Sequence, residues 1–373
     1  MLPAMARVGI LTGGGDCPGL NAVIRAIVRR AEREPGSSCV GFRRGWAGVL
    51  EGDAFELQRA ATVGILARGG TILGTSRTNP FADGTDRSDE IRAMLAQSGI
   101  DALIAIGGED TLGVAARLGD DGIPVVGVPK TIDNDLGGTE VTFGFHTAVQ
   151  TASDAIDRLR TTAESHDRVM VVEVMGRHAG WIATYAGLAA GADAILVPEW
   201  PYDTDAVCEL LRERHTHGTT YSIVVVAEGA KAKDASETLA GRQTDAFGHE
   251  RLGGVAVTLS AEIEQRTGYE TRYTILGHIL RGGTPTAFDR VLATRFGVAA
   301  MDAVHERRFG SRVFGSRSAS RSGTSTISPA CSATISPKRC SCTASIAATP
   351  KRVASTRSNA VGVPPRRMCP RIV

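Results

Sequence analysis

Two short stretches carry residue types that suit one reaction. The first is Gly107-Gly108-Glu109-Asp110-Thr111. The second, twenty-two positions on, is Pro129-Lys130-Thr131-Ile132-Asp133-Asn134-Asp135. Together they hold two adjacent glycines, four carboxylates and one lysine. Glycine lets backbone N–H groups approach a phosphate closely. Carboxylates suit Mg2+, and one not engaged by metal can take up a proton. These are components of phosphoryl transfer, a reaction run by positioning and charge stabilisation. Either stretch alone reads equally well as an ordinary turn with solvated acids; the pair reads as a site.

Each stretch must be held by the element before it. Ala102 to Ile106 and Val125 to Val128 are short apolar runs, read as buried strands of a parallel sheet. Open α/β sheets bind ligands at the carboxyl ends of such strands. The same form opens the chain: strand Arg7 to Leu11, then Thr12-Gly13-Gly14-Gly15-Asp16-Cys17-Pro18-Gly19, then a helix with Ala22, Ile24, Ile27 and Val28 on its apolar side. A glycine loop running into a helix is an anion site in form. It is neither GxxxxGK[ST] nor GxGxxG, so a P-loop and a dinucleotide-binding oxidoreductase are disfavoured. Gly69 to Arg77 supplies another glycine loop, with Arg77 as a candidate phosphate ligand. Strands and helices alternate throughout: strands at 38–42, 168–174, 194–197, 222–227 and 272–276, helices at 89–98, 111–118, 148–163, 181–190, 204–216, 254–267 and 287–304. Gly45 to Gly52 reads as a glycine-rich connection and 242–251 as a loop. This alternation predicts an α/β fold with a doubly wound sheet.

The overall charge of +2 conceals two regions. From Arg307 onward there is no acidic residue and there are thirteen Lys or Arg; residues 1–306 hold 29 basic and 40 acidic residues, a net of −11. An acidic body argues against nucleic-acid binding. There is no run of 18 apolar residues, so no membrane span is expected. Seven cysteines without close paired spacing argue against a disulfide framework, and a cytoplasmic location is expected. Residues 307–373 are rich in Ser, Arg, Thr, Ala and Pro. No aromatic residue follows Phe314, which argues against a basic nucleic-acid arm. This tail is expected to be disordered, or to be a shifted reading frame of a GC-rich gene. Its cysteines fit no common zinc spacing.

Six motifs in order now resemble the 6-phosphofructokinase family over about residues 6–310: Thr12 to Asn21, Gly107 to Thr111, Pro129 to Asp135, Val174 to Gly180, Glu228-Gly229 and Gly277 to Gly283. The resemblance implies two similar α/β domains with mostly parallel sheets and the active site in the cleft between them. On that basis 1–143 with 257–306 would form the larger, phosphoryl-donor domain, and 144–256 the smaller, sugar-phosphate domain. It also implies transfer of a phosphoryl group to the 1-hydroxyl of fructose 6-phosphate. Asp133 would be the general base, Glu109 the Mg2+ ligand, and Gly14 a donor to the phosphate. Thr131 and Ile132 would flank the sugar. Met175, Gly176, Arg177 and Glu228 match positions around the sugar and the transferring group. Arg168, Arg272, His278 and Arg281, with Ile279 and Leu280 between the last two, match the grip on the 6-phosphate. In relatives the counterparts of Arg168 and Arg272 come from a neighbouring subunit, which implies a homodimer or homotetramer.

The donor is set by two positions. In ATP-using relatives the place of Asp110 is typically glycine, and that of Lys130 often so. A carboxylate here would repel the α-phosphate of a nucleotide. Pyrophosphate has no α-phosphate to exclude, and the Lys130 ammonium would stabilise its charge as the bond breaks. Asp110 with Lys130 resembles the pyrophosphate-dependent branch. The alternatives are an ATP-dependent 6-phosphofructokinase, and a product made inactive or unstable by its aberrant C-terminal segment.

Overall fold

The computed structural model describes residues 6–233, 253–310 and 371–372. All belong to one unit of the chain, 1–316 with 370–373. The expectations for 242–251 and for 311–370 lie outside the described residues.

The first sheet takes its strands from the first third of the chain. β1 (Arg7–Thr12) is followed by α1 (Leu20–Ala31), β2 (Ser38–Phe42), α2 (Trp46–Glu51), β3 (Ala54–Glu56), α3 (Ser88–Gln97), β4 (Ala102–Gly107), α4 (Glu109–Asp120) and β5 (Val125–Pro129). The order is β3-β2-β1-β4-β5, parallel except for β3 against β2. The strand order reverses between β1 and β4. That switch point is where parallel sheets open a crevice, and it is where the Gly13 and Gly107 loops emerge. The Gly45 to Gly52 stretch, expected as a connection, contains α2. Its glycines cap the helix from outside, at φ 63° and 70°, while Trp46 and Val49 are buried between them.

The second sheet follows a long helix, α5 (Phe145–Ser165). Then come β6 (Val169–Val174), α6 (Trp181–Ala189), β7 (Ala194–Leu196), α7 (Thr204–Thr216), β8 (Ser222–Ala227), α8 (Val255–Thr267), β9 (Thr271–Ile275), α9 (Ala287–His305) and β10 (Arg371–Ile372). The order is β10-β7-β8-β6-β9, all parallel. The sequence-based boundary at 257 falls inside α8 and does not hold: β9 pairs with β6, and α8 packs against α7 and β9. The chain returns to the first sheet only with α9, which lies along α1, and Gly310 then bridges to Val126 of β5.

Both sheets are covered on both faces, because alternate residues of each strand point to opposite sides. Val8, Ile10, Ile104 and Ile106 of the first sheet and Val172, Val174, Val225 and Ala227 of the second belong to one continuous core built with α1, α5, α6 and α9. Leu11, Leu103 and Ala105 face α2, α3 and α4; Val169, Val171, Val224 and Val226 face α7 and α8.

One buried carboxylate fastens the two helices that link the sheets. Asp289, fully buried in α9, accepts from the Thr147 N–H (2.7 Å) and hydroxyl (2.5 Å) in the first turn of α5. Thr286 donates its N–H to Thr147 Oγ1 (3.0 Å) and accepts from the Asp289 N–H (3.3 Å), capping α9. Asp289→Ala removes these charge-assisted bonds and leaves buried donors unpaired. It is expected to lower unfolding free energy by about 2–3 kcal/mol in urea titration, with Asp289→Asn losing less. A change indistinguishable from zero would contradict this role.

Candidate active site

Packing brings the loops after β1 and β4 together. Gly13 N–H donates to Ile106 O (2.9 Å), and Lys130 N–H to Gly107 O (2.9 Å). Thr111 is wedged between: a methyl group built on Gly107 would lie 2.3 Å from Thr111 Cβ, and one on Gly13 2.5 Å from its hydroxyl. Only glycine permits this approach. The 68–76 stretch closes a third side. Asn21 donates to Arg68 O (3.0 Å) and accepts from Ile72 N–H (2.9 Å), while Thr75 Oγ1 donates to Gly14 O (2.5 Å). Gly14 N–H, expected to face a phosphate, already has an acceptor, Ser76 O at a long 3.4 Å.

Lys130 is the surprise of the site. Its side chain is 3% exposed, and its ammonium donates to Gly15 O beneath the glycine loop. Burial pushes its pKa down; neighbouring Cys17, Asp16 and Asp133 pull it up, and Arg281 adds to the depression. Cys17 shares this interior, and burial pushes its thiol up to about 12, so it is not a nucleophile.

Asp133 is the most perturbed carboxylate. Its N–H bonds to Thr131 Oγ1 (3.0 Å), and Asn134 takes the left-handed conformation (φ 53°), its amide oxygen accepting from Thr142 N–H (2.9 Å). This turn draws the Asp133 carboxyl in from solvent, with Oδ1 buried and no hydrogen-bond partner. Burial, reinforced by Asp135 and Glu228, raises its pKa from 3.8 to about 6; Arg281 and Lys130 oppose the shift.

The second sheet delivers the remaining groups from three adjacent parallel strands. Glu228, just after β8, is pushed up by burial against the pull of Gly176 N–H, Arg281 and Arg177. Gly229 N–H donates to Gly176 O (3.0 Å), and Gly229 is tight enough against Arg177 that a methyl there would meet Arg177 O at 2.0 Å. Arg281, at the end of a 3-10 turn spanning Gly277–Arg281, reaches the first sheet and donates to Asp16 O (3.3 Å). Asp133, Lys130, Arg281 and Glu228, with Arg177 beside Glu228, thus form one electrostatic cluster.

Other expected residues are placed differently. Glu109 is exposed and Asp110 half-buried in the first turn of α4, where the helix dipole favours acids. Arg77 and His278 are exposed and Met175 is buried. Ile132 and Leu280 are fully buried core residues, so they can offer a ligand only backbone; Ile279 is 64% exposed. Arg168 and Arg272 lie at the opposite end of the second sheet from the site loops, about 15–20 Å away by the length of a six-residue strand. Within one chain they do not join the Asp133 cluster. Sequence reasoning missed Asp289, Cys17 and Glu270; the Glu270-x-Arg272 spacing, which puts both on one side of a strand, was the available signal for the last.

The family model for phosphofructokinase matches residues 7–304. The pyrophosphate--fructose 6-phosphate 1-phosphotransferase of Amycolatopsis methanolica is 62% identical over 307 residues, 82% of this chain and 89% of that protein. The ATP-dependent 6-phosphofructokinase 3 of Streptomyces coelicolor is 56% identical over 306 residues, covering 82% and 89%. The solved phosphofructokinase of Saccharomyces cerevisiae superposes with a TM-score of 0.70 at 32% identity, over 81% of this chain and 42% of that one. The chain belongs to the phosphofructokinase family.

The Asp133 shift has a consequence for stability. Below pH 4 the carboxyl is protonated folded and unfolded. From 4 to 6 it stays protonated only in the fold, and above 6 the fold holds a buried anion, so its stabilising contribution is lost as pH rises through that window. Asp133→Asn removes the effect. Its stability relative to wild type is expected to rise by about 2–3 kcal/mol between pH 4 and pH 7, read by urea unfolding. A pH-independent difference would contradict the burial of this carboxyl.

Proposed function

We propose that this protein reversibly transfers a phosphoryl group from pyrophosphate to the 1-hydroxyl of D-fructose 6-phosphate, giving fructose 1,6-bisphosphate and phosphate. The observation that carries the reading is the desolvated Asp133 carboxyl, set between the glycine loops of the first sheet and the arginines of the second. Asp133 takes the hydroxyl proton as the sugar oxygen attacks the terminal phosphorus, and the bridging P–O bond breaks to release phosphate. A base with a pKa near the working pH suits this task. Lys130 supplies positive charge as charge moves to the leaving phosphate, and Arg281 grips the sugar phosphate. Glu228, Arg177, Met175 and Gly176 border the sugar, with Thr131 and the backbone of Ile132 beside it. Arg77 and Gly14 sit on the donor side, and His278 with the backbone of Ile279 and Leu280 on the sugar-phosphate side.

Glu109 is the proposed protein ligand of Mg2+. Among the described residues no three acids, histidines or cysteines cluster to hold a metal by themselves. This donor set suits Mg2+, which keeps several waters and is held by one or two carboxylates plus substrate phosphates. When bound, the ion would neutralise phosphate charge; the proton transfer belongs to Asp133.

The first sheet with α9 would serve the donor, and the second sheet the sugar. The remoteness of Arg168 and Arg272 from the loops of their own chain favours a homodimer or homotetramer in which they meet the sugar phosphate held by a neighbour. No described helix is long and apolar enough to cross a membrane. Cys17, Cys39 and Cys208 are buried free thiols, which suits the expected cytoplasmic location.

ATP is the second donor reading, favoured by the ATP-dependent relatives at 54–56% identity. Asp110 argues against it, since its charge repels the α-phosphate. The test supplies fructose 6-phosphate and Mg2+ with pyrophosphate or ATP and measures fructose 1,6-bisphosphate. Activity with pyrophosphate alone is expected, and Asp110→Gly should raise ATP use relative to pyrophosphate by at least about tenfold. Activity with ATP alone would overturn the donor assignment, and an unchanged preference in Asp110→Gly would overturn the role of Asp110.

A further inference from the structure

Arg168 and Arg272 share one carboxylate. Arg168 Nη2 lies 2.7 Å from Glu270 Oε1, and Arg272 Nη2 lies 2.6 Å from the same oxygen. The backbone fixes all three residues. Val169 N–H donates to Glu270 O (3.0 Å), Arg168 N–H donates to Ala163 O (3.0 Å), and Arg272 stands opposite Met170 in the β6–β9 ladder. Arg272 Nη1 also donates to Thr271 O (3.0 Å), which restricts its rotamer. Arg168 Nε is buried without a hydrogen-bond partner, and Glu270 meets the guanidinium through Nη2.

Two guanidinium groups on neighbouring strands repel one another and, on long side chains, sample many rotamers. A carboxylate between them offsets the repulsion and draws both into one place. The Arg168 hydrogen bond holds the Glu270 carboxyl below the usual carboxylate range, so it stays ionised at neutral pH. These pairs are substantially exposed, where ion pairs add little to folding stability. Their effect should therefore lie in orientation.

We infer that Glu270 is a positioning residue: it sets Arg168 and Arg272 as one pre-formed clamp for a single phosphate group. The inference rests on the reading that these two arginines meet the sugar phosphate bound by a second copy of the chain. Glu270 touches neither substrate nor reacting atoms. It acts by keeping each guanidinium bonded through one nitrogen while the fork as a whole is held in place for a planar, two-point contact with phosphate oxygens.

The test uses the full chain with fructose 6-phosphate and pyrophosphate. Glu270→Ala should raise KM for fructose 6-phosphate by about tenfold, with kcat and KM for pyrophosphate within about twofold and the melting temperature unchanged. Glu270→Gln, which keeps an acceptor oxygen, should fall between Ala and wild type. With Arg168 and Arg272 both replaced by Ala, adding Glu270→Ala should change nothing further, because the residue acts only through the arginines. An unchanged or lowered KM would overturn the inference, a lowered one meaning that Glu270 competes with the phosphate. A parallel loss of kcat, both KM values and melting temperature would overturn it in favour of a structural role. Arg168→Ala and Arg272→Ala separate the layers. If both leave KM for fructose 6-phosphate unchanged, the placement of the arginines fails and the inference with it. If they raise KM while Glu270→Ala is silent, only the inference fails.

Discussion

The site depends on withdrawing opposite charges from water where two parallel strands diverge. Lys130 follows β5 and is buried under the glycine loop that follows β1. Asp133, three residues on, is half-buried, with one carboxyl oxygen out of water and unpaired. Neither would be tolerated alone: an isolated buried ammonium sheds its proton and an isolated buried carboxylate takes one. Lys130 and Arg281 offset part of that cost, but desolvation, reinforced by Asp135 and Glu228, still leaves Asp133 with its raised pKa. The glycines follow from this constraint. Thr111 fills the space that a side chain at Gly13 or Gly107 would occupy, and Gly14 takes the left-handed φ of 74°.

The second constraint is that the cluster draws on both sheets. Arg281 must cross from the 3-10 turn after β9 to Asp16, and Glu228 must sit at the end of β8. The continuous core that runs through α5 and α9, and the Asp289 fastening of α5 to α9, hold that arrangement. Asp289 also lies close enough to Cys17 to influence its thiol, so the fastening and the Asp133–Lys130 cluster are neighbours.

Much of this was legible in the sequence, for identifiable reasons. Strands buried on both faces must be continuous apolar runs, and Ala102 to Ile106 or Ser222 to Ala227 can be nothing else in an alternating chain. The loops after them carry the chemistry because that is where parallel sheets leave backbone groups open. What stayed hidden depends on long-range packing. Local composition hid α2, because its bounding glycines look like a loop. The place of β9 in the second sheet was hidden because pairing with β6 leaves no local mark. The closure of Gly14 N–H onto Ser76 comes from a segment some sixty residues away in the chain, and the burial of Lys130 from the Gly15 loop, 115 residues away. Motif spacing named Arg168 and Arg272 but gave no hint that they stand at the far end of the sheet, tied to Glu270.

The proposed role of Asp133 is that of the general base, its pKa raised by burial. It is tested most directly by kcat/KM for fructose 6-phosphate with pyrophosphate, measured against pH in wild type and Asp133→Asn. The account predicts an acid limb in wild type with an apparent pKa of about 6. It also predicts a rate lower by on the order of 10²–10⁴ in the variant, with that limb gone. A wild-type limb in the ordinary carboxylate range, or a variant with near wild-type rate, would contradict it.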